Sequence, residues 1–356
     1  MFQGNQVKDE WNEIAVFNAL SSQPATLETS KAVDAYGLLE GHVIYQADAE
    51  QAYVQARLDD KPDCAETWVR IPPEFRPDWW RGIRDPVVRL KLALYGHPDS
   101  GGYWEQHCEE KLRSIGWKTV PEWKSTYFHP IRKCSLIVYV DDFKMSGPPE
   151  AVYQAFEEIK KVIDLDTPKP VNKCLGCNHV EGKETINGKQ VRTMTYDMKD
   201  FMESCVKQYK EKSGCEVMKP ALTPFLPEDS LEGPDDLKPG ILSQCACAVL
   251  MKVLYGARLA RFDLLKAVQV LASKVSKWNV NHDRQLHRMM CYINSTTHVC
   301  MKGHVGDKVD DLWIRLFGDA DFAGEKDAKS TSGIFECLYG PNTMFPLHAM
   351  SKKQGS

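Results

Sequence analysis

Cys134-Ser-Leu-Ile-Val-Tyr-Val-Asp-Asp-Phe-Lys-Met-Ser-Gly147 is an apolar, β-branched run that stops at two carboxylates, resumes as a second short run and ends in glycine. The pattern reads as a hairpin with Asp141 and Asp142 at its tip. Adjacent carboxylates at a tight turn repel each other and are tolerable when solvated or when divalent cations neutralise them. Asp is an ordinary turn residue, so from the dipeptide alone a solvated turn is the simpler reading. His42-Val-Ile-Tyr-Gln-Ala-Asp48 changes the balance, because it is a second strand that closes on an acid, with an aromatic residue, Tyr53, five positions later. Two strand-borne acidic sites that converge would hold a pair of Mg²⁺ ions roughly 3.5–4 Å apart. Phosphoryl transfer needs positioning and charge neutralisation more than covalent chemistry, and carboxylates with a hard cation supply both.

Outward from these strands the pattern alternates between strand and helix. A helix starts near Thr29 or Ser30 and carries Val33 and Tyr36 on one side. A β-rich region to about 195 is interrupted by helices over Gly102–Ile115 and Pro149–Ile163, the second with Pro149 in its first turn and a stripe of Val152, Phe156, Ile159 and Ile163. From about Asp197 to Ser295 the chain is helical. Phe201, Cys205 and Tyr209 mark one helix, Leu264, Val268, Leu271 and Val275 another, and Asn281 caps a third. Lys219 to Pro239 is a Pro- and acid-rich connector. Strand patterning returns at Trp313–Phe317, Gly333–Tyr339 and Met344–Met350.

Composition sets bounds on this organisation. The 356 residues are enough for two or three small domains, and 43% hydrophobic with 26% charged residues is ordinary for a globular chain. No apolar run is long enough to span a bilayer, and the N-terminus shows no secretory pattern. A net charge of -4 argues mildly against a dedicated nucleic-acid binder, although a basic groove can be local. Lys199, Lys207, Lys210, Lys212, Arg258 and Arg261 read as a solvated helical face or as phosphate contacts. The twelve Cys read as reduced thiols. Cys174-Leu-Gly-Cys177 with His179 suggests a zinc site, but no second pair of ligands sits at a convincing spacing and a structural site wants four. Trp278 and Trp313 read as core rather than as base-stacking platforms.

Tyr139-Val-Asp-Asp142 resembles the YVDD box of reverse transcriptases of copia-type LTR retrotransposons. Asp48-Ala-Glu-Gln-Ala-Tyr-Val-Gln-Ala-Arg-Leu58 resembles their first catalytic motif, D-V-K-x-A-F-L-x-G-x-L. Glu66-Thr-Trp-Val-Arg-Ile-Pro-Pro-Glu-Phe75 resembles E-x-x-M-x-x-P-x-G-F, and Leu92-Ala-Leu-Tyr-Gly96 followed by Tyr103-Trp104 resembles A-L-Y-G-L-K-Q-A-P-R-x-W. The order and spacing agree across all four.

The resemblance implies an α+β chain with the right-hand polymerase fold. Partial fingers and palm would occupy residues 1–195, a helical thumb or connection 196–305, and the N-terminal part of an incomplete RNase H-like segment 306–356. It implies an RNA-directed DNA polymerase, a piece of a retrotransposon Pol polyprotein, that adds dNTPs to a primer 3′-hydroxyl on an RNA or DNA template. Asp48, Asp141 and Asp142 would be the catalytic ligands of two Mg²⁺ ions. Tyr53 would be the aromatic gate against a 2′-hydroxyl, Tyr139 would lie near the primer terminus, and the backbone of Ala49 to Tyr53 would cradle the triphosphate. Asp319, in Phe317-Gly-Asp-Ala-Asp-Phe-Ala-Gly324, would be the first carboxylate of an incomplete RNase H site, with Lys329–Gly333 and Ser351–Gln354 as further landmarks. Phe2–Val7 resembles the tail of a longer finger segment. Such an element would act inside the cell, in a cytoplasmic virus-like particle or the nucleus, with no membrane part.

The chain departs from the family in one place that bears on chemistry. His97-Pro-Asp-Ser-Gly101 stands where the family has L-K-Q-A-P, so Asp99 replaces a Gln that touches the incoming nucleotide. Two rivals stay open: a non-catalytic remnant that keeps the fold, with or without nucleic-acid binding, from Asp99 and the short ends, and an interaction module with no nucleic-acid role, from the net acidity.

Overall fold

The structure, a computed structural model, describes residues 23–58, 66–226, 238–320 and 330–354. The N-terminal landmark Phe2–Val7, the middle of the acidic connector, Asp321 to Lys329 and the last two residues lie outside them. The chain divides into two units, Met1–Val33 with Gly41–Pro170, and Asp34–Glu40 with Val171–Ser356.

The first unit contains the start of α1 (Leu27–Gly37), β1 (Val43–Asp48), α2 (Ala52–Gln55), β2 (Trp68–Arg70), β3 (Val87–Arg89), α3 (Ser100–Ser114), β4 (Lys118–Thr119), β5 (Thr126–His129), β6 (Cys134–Tyr139), β7 (Asp142–Gly147), α4 (Pro149–Ile159) and β8 (Lys169–Pro170). Six strands form one antiparallel sheet in the order β4-β5-β6-β7-β1-β8, and β2 pairs with β3 apart from it. Period-2 alternation sorts the side chains of the sheet. Ala47, Leu136, Val138, Phe143 and Met145 point to one face, where they bury Trp104, Cys108 and Leu112 of α3 and Val152, Phe156 and Ile159 of α4 in a single core. The two amphipathic helices legible in the sequence are therefore the backing of the sheet. The opposite face carries Gln46 and Lys144 as register partners, with Asp48 and Asp142 one step along. Ile137 on this face packs with Ala25 and Val33, and the fully buried Lys144 ammonium donates to Ser30 Oγ at 2.6 Å.

The second unit contains the end of α1, β9 (Lys173–Cys174), β10 (Cys177–Ile186), β11 (Lys189–Asp197), α5 (Lys199–Ser213), α6 (Ala246–Leu259), α7 (Leu265–Ala272), α8 (Val280–Ser295), β12 (Met301–Val305), β13 (Trp313–Ala320), β14 (Thr331–Gly340) and β15 (Thr343–Lys353). Its seven strands run in the order β13-β14-β15-β12-β11-β10-β9. Asn187 and Gly188, both at positive φ, close the long β10–β11 hairpin, as the Asn-Gly turn matched to strand twist requires. Every ladder among the described residues is antiparallel, and helices and strands are mixed within each unit, so the class is α+β. Among the described residues no helix is long and apolar enough to cross a membrane.

Several local expectations are corrected. Asn279, not Asn281, caps α8. Its side chain accepts from the His282 amide at 3.1 Å, and the His282 ring accepts from the Asn279 amide, while Asn281 is buried inside the helix. Regular helix α4 stops at Ile159 rather than Ile163. Trp278 is buried and donates to Asp283, as a core residue should, but Trp313 is half exposed on β13, a strand whose side chains are all exposed. Arg261 is not on a solvated face. It is 1% exposed, with its guanidinium committed to Asp263 and to the Thr296 carbonyl. Cys174 and Cys177 are buried cross-strand partners, consistent with small apolar packing, and the His179 Nδ1–H donates to the Cys177 carbonyl at 3.1 Å.

Candidate active site

β1 and β7 are neighbours because each places apolar residues on the α3/α4 face at alternate positions. That register pairs Ala47 with Phe143 and, one step further, Asp48 with Asp142. The hairpin between β6 and β7 closes in two residues, Val140 and Asp141, with Tyr139 paired to Asp142 at its mouth. Val140 sits at φ 59°, where glycine is the usual occupant and a β-branched side chain costs about 1–3 kcal/mol. The surroundings hold it there. Trp104 of α3 donates its indole N–H to the Val140 carbonyl at 2.5 Å, and the Ala49 N–H donates to the Asp141 carbonyl at 2.7 Å. The strained tip is thereby tied to the strand end that carries Asp48.

The three acids expected from sequence are thus side by side. Asp141 is exposed at the turn, while Asp48 and Asp142 are partly buried and adjacent. The Asp142 carboxyl is pushed up to about 6, first by burial, then by the negative charges of Asp141 and Asp48 and by a hydrogen bond shared with the Asp48 carboxyl, against the opposing Lys144 ammonium. Such crowding marks a site short of positive charge. Among the described residues no group of three or more His, Cys, Asp or Glu is drawn tightly enough to grip a metal ion as it stands. The donor set itself fits a hard divalent cation, since every candidate ligand is a carboxylate oxygen.

The raised carboxyl has a consequence in the metal-free chain. A proton held more tightly in the folded than in the unfolded state stabilises the fold at low pH, and that contribution is lost as pH rises through about 6. Asp142→Asn is therefore expected to exceed wild type in urea stability at pH 7 by about 1 kcal/mol, after discounting for partial exposure. The difference should shrink towards pH 5. Equal stability at both pH values would show that the Asp142 carboxylate is not crowded.

Two groups that sequence reasoning missed complete the surroundings. Asp166 accepts from the Asp48 amide at 2.8 Å, and the Lys169 ammonium lies 3.6 Å from Asp48 Oδ2 and 3.5 Å from Asp166 Oδ2. The only sequence signal for them is the clustering of charge in Asp164-Leu-Asp-Thr-Pro-Lys169. Tyr53, half-buried on α2, stacks obliquely on Tyr95 with ring centroids 4.5 Å apart. Burial raises both hydroxyls, and both feel the Asp141 charge, so this aromatic pair faces the acidic tip. Tyr139 lies at the hairpin mouth. Ala49 corrects one detail of the cradle reading: its amide is committed to Asp141, and that of Glu50 to the Asp164 carbonyl, so neither is available to an anion.

Asp99 is buried at the N-terminal end of α3. Burial raises its carboxyl and lowers the His97 ring beside it, while each group's charge partly offsets the other's shift. Asp319 lies exposed on β13 in the second unit, opposite Gly333. Lys207 and Lys210 share a shallow recess with Glu203, Glu211 and Glu216, which dilutes any basic face on α5.

Comparison with known proteins agrees with the motifs. A family described as reverse transcriptase (RNA-dependent DNA polymerase) matches residues 7–220. The chain is 26% identical over 142 residues to the Transposon Ty1-DR1 Gag-Pol polyprotein of Saccharomyces cerevisiae, covering 39% of this chain and 7% of that polyprotein. It is 28% identical over 102 residues to the Truncated transposon Ty1-A Gag-Pol polyprotein of the same yeast, covering 28% of this chain and 7% of the relative. Among solved structures, prototype foamy virus protease-reverse transcriptase aligns over 98% of this chain and 58% of its own, at 10% identity and a TM-score of 0.26. Because the family match takes in residues 7–220 of 356, the chain belongs to the reverse transcriptase (RNA-dependent DNA polymerase) family, in its copia-type branch, to which its similarity to a small part of the Ty1 polyproteins also points.

Proposed function

We propose that the chain is the polymerase part of a retrotransposon polyprotein and adds deoxynucleotides to a primer 3′-hydroxyl on an RNA template. The observation that carries this is the register pairing of Asp48 with Asp142 beside the tip residue Asp141. These three carboxylates would hold two Mg²⁺ ions, which supply neutralisation of phosphate charge and a lowered pKa at the attacking hydroxyl. The protein's own part is positioning. The Trp104 and Ala49 hydrogen bonds fix the tip, so the carboxylates do not have to be ordered during the reaction. Asp166 fixes the backbone of Asp48, and Lys169 puts a positive charge at the edge of the site. Tyr53, braced by Tyr95, would lie under the sugar and exclude a 2′-hydroxyl.

In the same reading residues 1–195 are the palm with partial fingers, 196–305, with helices α5 to α8, the thumb or connection, and 306–356, with β13 to β15, the start of an RNase H-like segment whose first acid is Asp319. The template–primer, dNTPs and the rest of the polyprotein would be the partners.

The test is extension of a DNA primer on an RNA template by the purified chain with Mg²⁺, compared with the same reaction in EDTA. Metal-dependent extension is the expected result, and a folded chain that binds template–primer without extending it would instead favour a non-catalytic remnant. Tyr53→Val should leave dNTP addition measurable and raise the ratio of ribonucleotide to deoxynucleotide incorporation by at least about tenfold. An unchanged ratio would remove Tyr53 from sugar selection.

A further inference from the structure

α5 ends at Ser213 with Gly214 as its cap, and the stretch that follows runs along α8. The Ala221 amide donates to Ser295 Oγ at 3.3 Å, and Arg288 Nε donates to the Thr223 carbonyl at 2.9 Å. This stretch brings Cys215 to the ring of His287, on α8. Nδ1 of that ring lies 3.9 Å from Cys215 Sγ and 3.0 Å from the Tyr209 hydroxyl oxygen, while Nε2 lies 3.4 Å from Cys291 Sγ, one turn along the helix. Burial lowers the His287 pKa, so the ring is a neutral base. Cys215 is partly exposed and Cys291 is buried. The Lys219 backbone N–H reaches the Cys291 sulfur from the same stretch, and Cys215 is near enough for its charge to act on that thiol. One imidazole therefore stands between an accessible thiol and a protected one.

We propose that Cys215, His287 and Cys291 form a peroxide-reactive thiol site, with Cys215 the attacking sulfur, His287 its base and Cys291 the resolving thiol. His287 Nδ1 takes the Cys215 proton, and the thiolate attacks one oxygen of a hydroperoxide. An S–O bond forms and the O–O bond breaks, and for hydrogen peroxide the leaving hydroxide takes the proton from the imidazolium and departs as water. Cys215 is then a sulfenic acid. The Cys291 sulfur attacks it, an S–S bond forms, the S–O bond breaks, and the hydroxyl leaves as a second water with the Cys291 proton. The two thiols are oxidised by two electrons and the peroxide is reduced by two. Cys215 lies outside regular helix, so the approach of the sulfurs moves a loop rather than α8.

The experiment treats the full chain with hydrogen peroxide, blocks remaining thiols with iodoacetamide and maps peptides without reduction, using exposed Cys247 as internal reference. The expected result is a Cys215–Cys291 crosslink that reductant reverses, with Cys215 reacting at least about tenfold faster than Cys247. Cys291→Ser should leave a dimedone-trappable sulfenic acid on Cys215, and His287→Asn should slow Cys215 without changing the rate at Cys247. Cys215 reacting no faster than Cys247 in the wild-type chain, or pairing with another cysteine, overturns the proposal whatever the variants do.

Discussion

Asp141→Asn and Asp48→Asn should each lower Mg²⁺-dependent primer extension by at least about 10³-fold, while circular dichroism and template–primer binding stay close to wild type. Asn keeps the size of the side chain and one acceptor oxygen but removes the charge that a hard cation requires. A 10³-fold loss corresponds to about 4 kcal/mol of transition-state stabilisation, the scale of removing one charged group aimed at developing charge. The backbone should tolerate both changes. Asp48 holds its place through strand pairing and the hydrogen bond its backbone N–H donates to Asp166, and the Asp141 contact that ties the tip uses a carbonyl. Single-turnover extension with saturating template–primer is the measurement. Activity within tenfold of wild type in both variants would show that these carboxylates do not carry the reaction.

Asp34→Ala should lower the urea stability of the chain by about 3 kcal/mol or more. Asp34 lies on α1, fully buried, and groups with the second unit. There Tyr196 Oη donates to its Oδ2 at 2.8 Å, and His179 Nε2 lies 3.4 Å from the same oxygen. The rings of His179 and Tyr196 meet edge to face at 5.0 Å. Alanine would take from the buried Tyr196 hydroxyl and His179 Nε2 the carboxylate they face, so the desolvation penalty that carboxylate offsets would return. Asp34→Asn keeps an acceptor for Tyr196 and should lose less. Equilibrium unfolding in urea separates the cases, and a loss under 1 kcal/mol for alanine would mean the cluster is not holding α1 to the sheet.

What the sequence showed about the site was what a short stretch of chain can encode. Alternation and β-branching around Asp141 and Asp142 are local, as is the strand that stops at Asp48, so both strands and the hairpin tip were legible. The contacts that shape the tip are not local. Trp104 reaches Val140 across 36 residues, and Asp166 reaches Asp48 across 118, which no periodicity reports. Helix α6 was legible only as part of the helical stretch from about Asp197 to Ser295, without a stripe of its own, for another reason. Ala246, Val249, Leu250, Val253, Gly256, Ala257 and Leu259 bury most of its circumference, so the apolar stripe that announces an amphipathic helix is blurred. Arg261 misled because a charged residue in a basic stretch is ordinarily at the surface, whereas Asp263, two residues on, satisfies it in the interior. Trp313 misled in the opposite sense, since its apolar strand reads as core while β13 is an edge strand with every side chain exposed.

The most direct test of the polymerase reading is the number of divalent ions the carboxylates hold. Mn²⁺ binding to the chain in complex with template–primer and a non-hydrolysable deoxynucleotide, followed by electron paramagnetic resonance, should show two bound ions, with loss of at least one in Asp48→Asn and in Asp141→Asn. Equal Mn²⁺ occupancy in wild type and in a chain lacking all three carboxylates would contradict it.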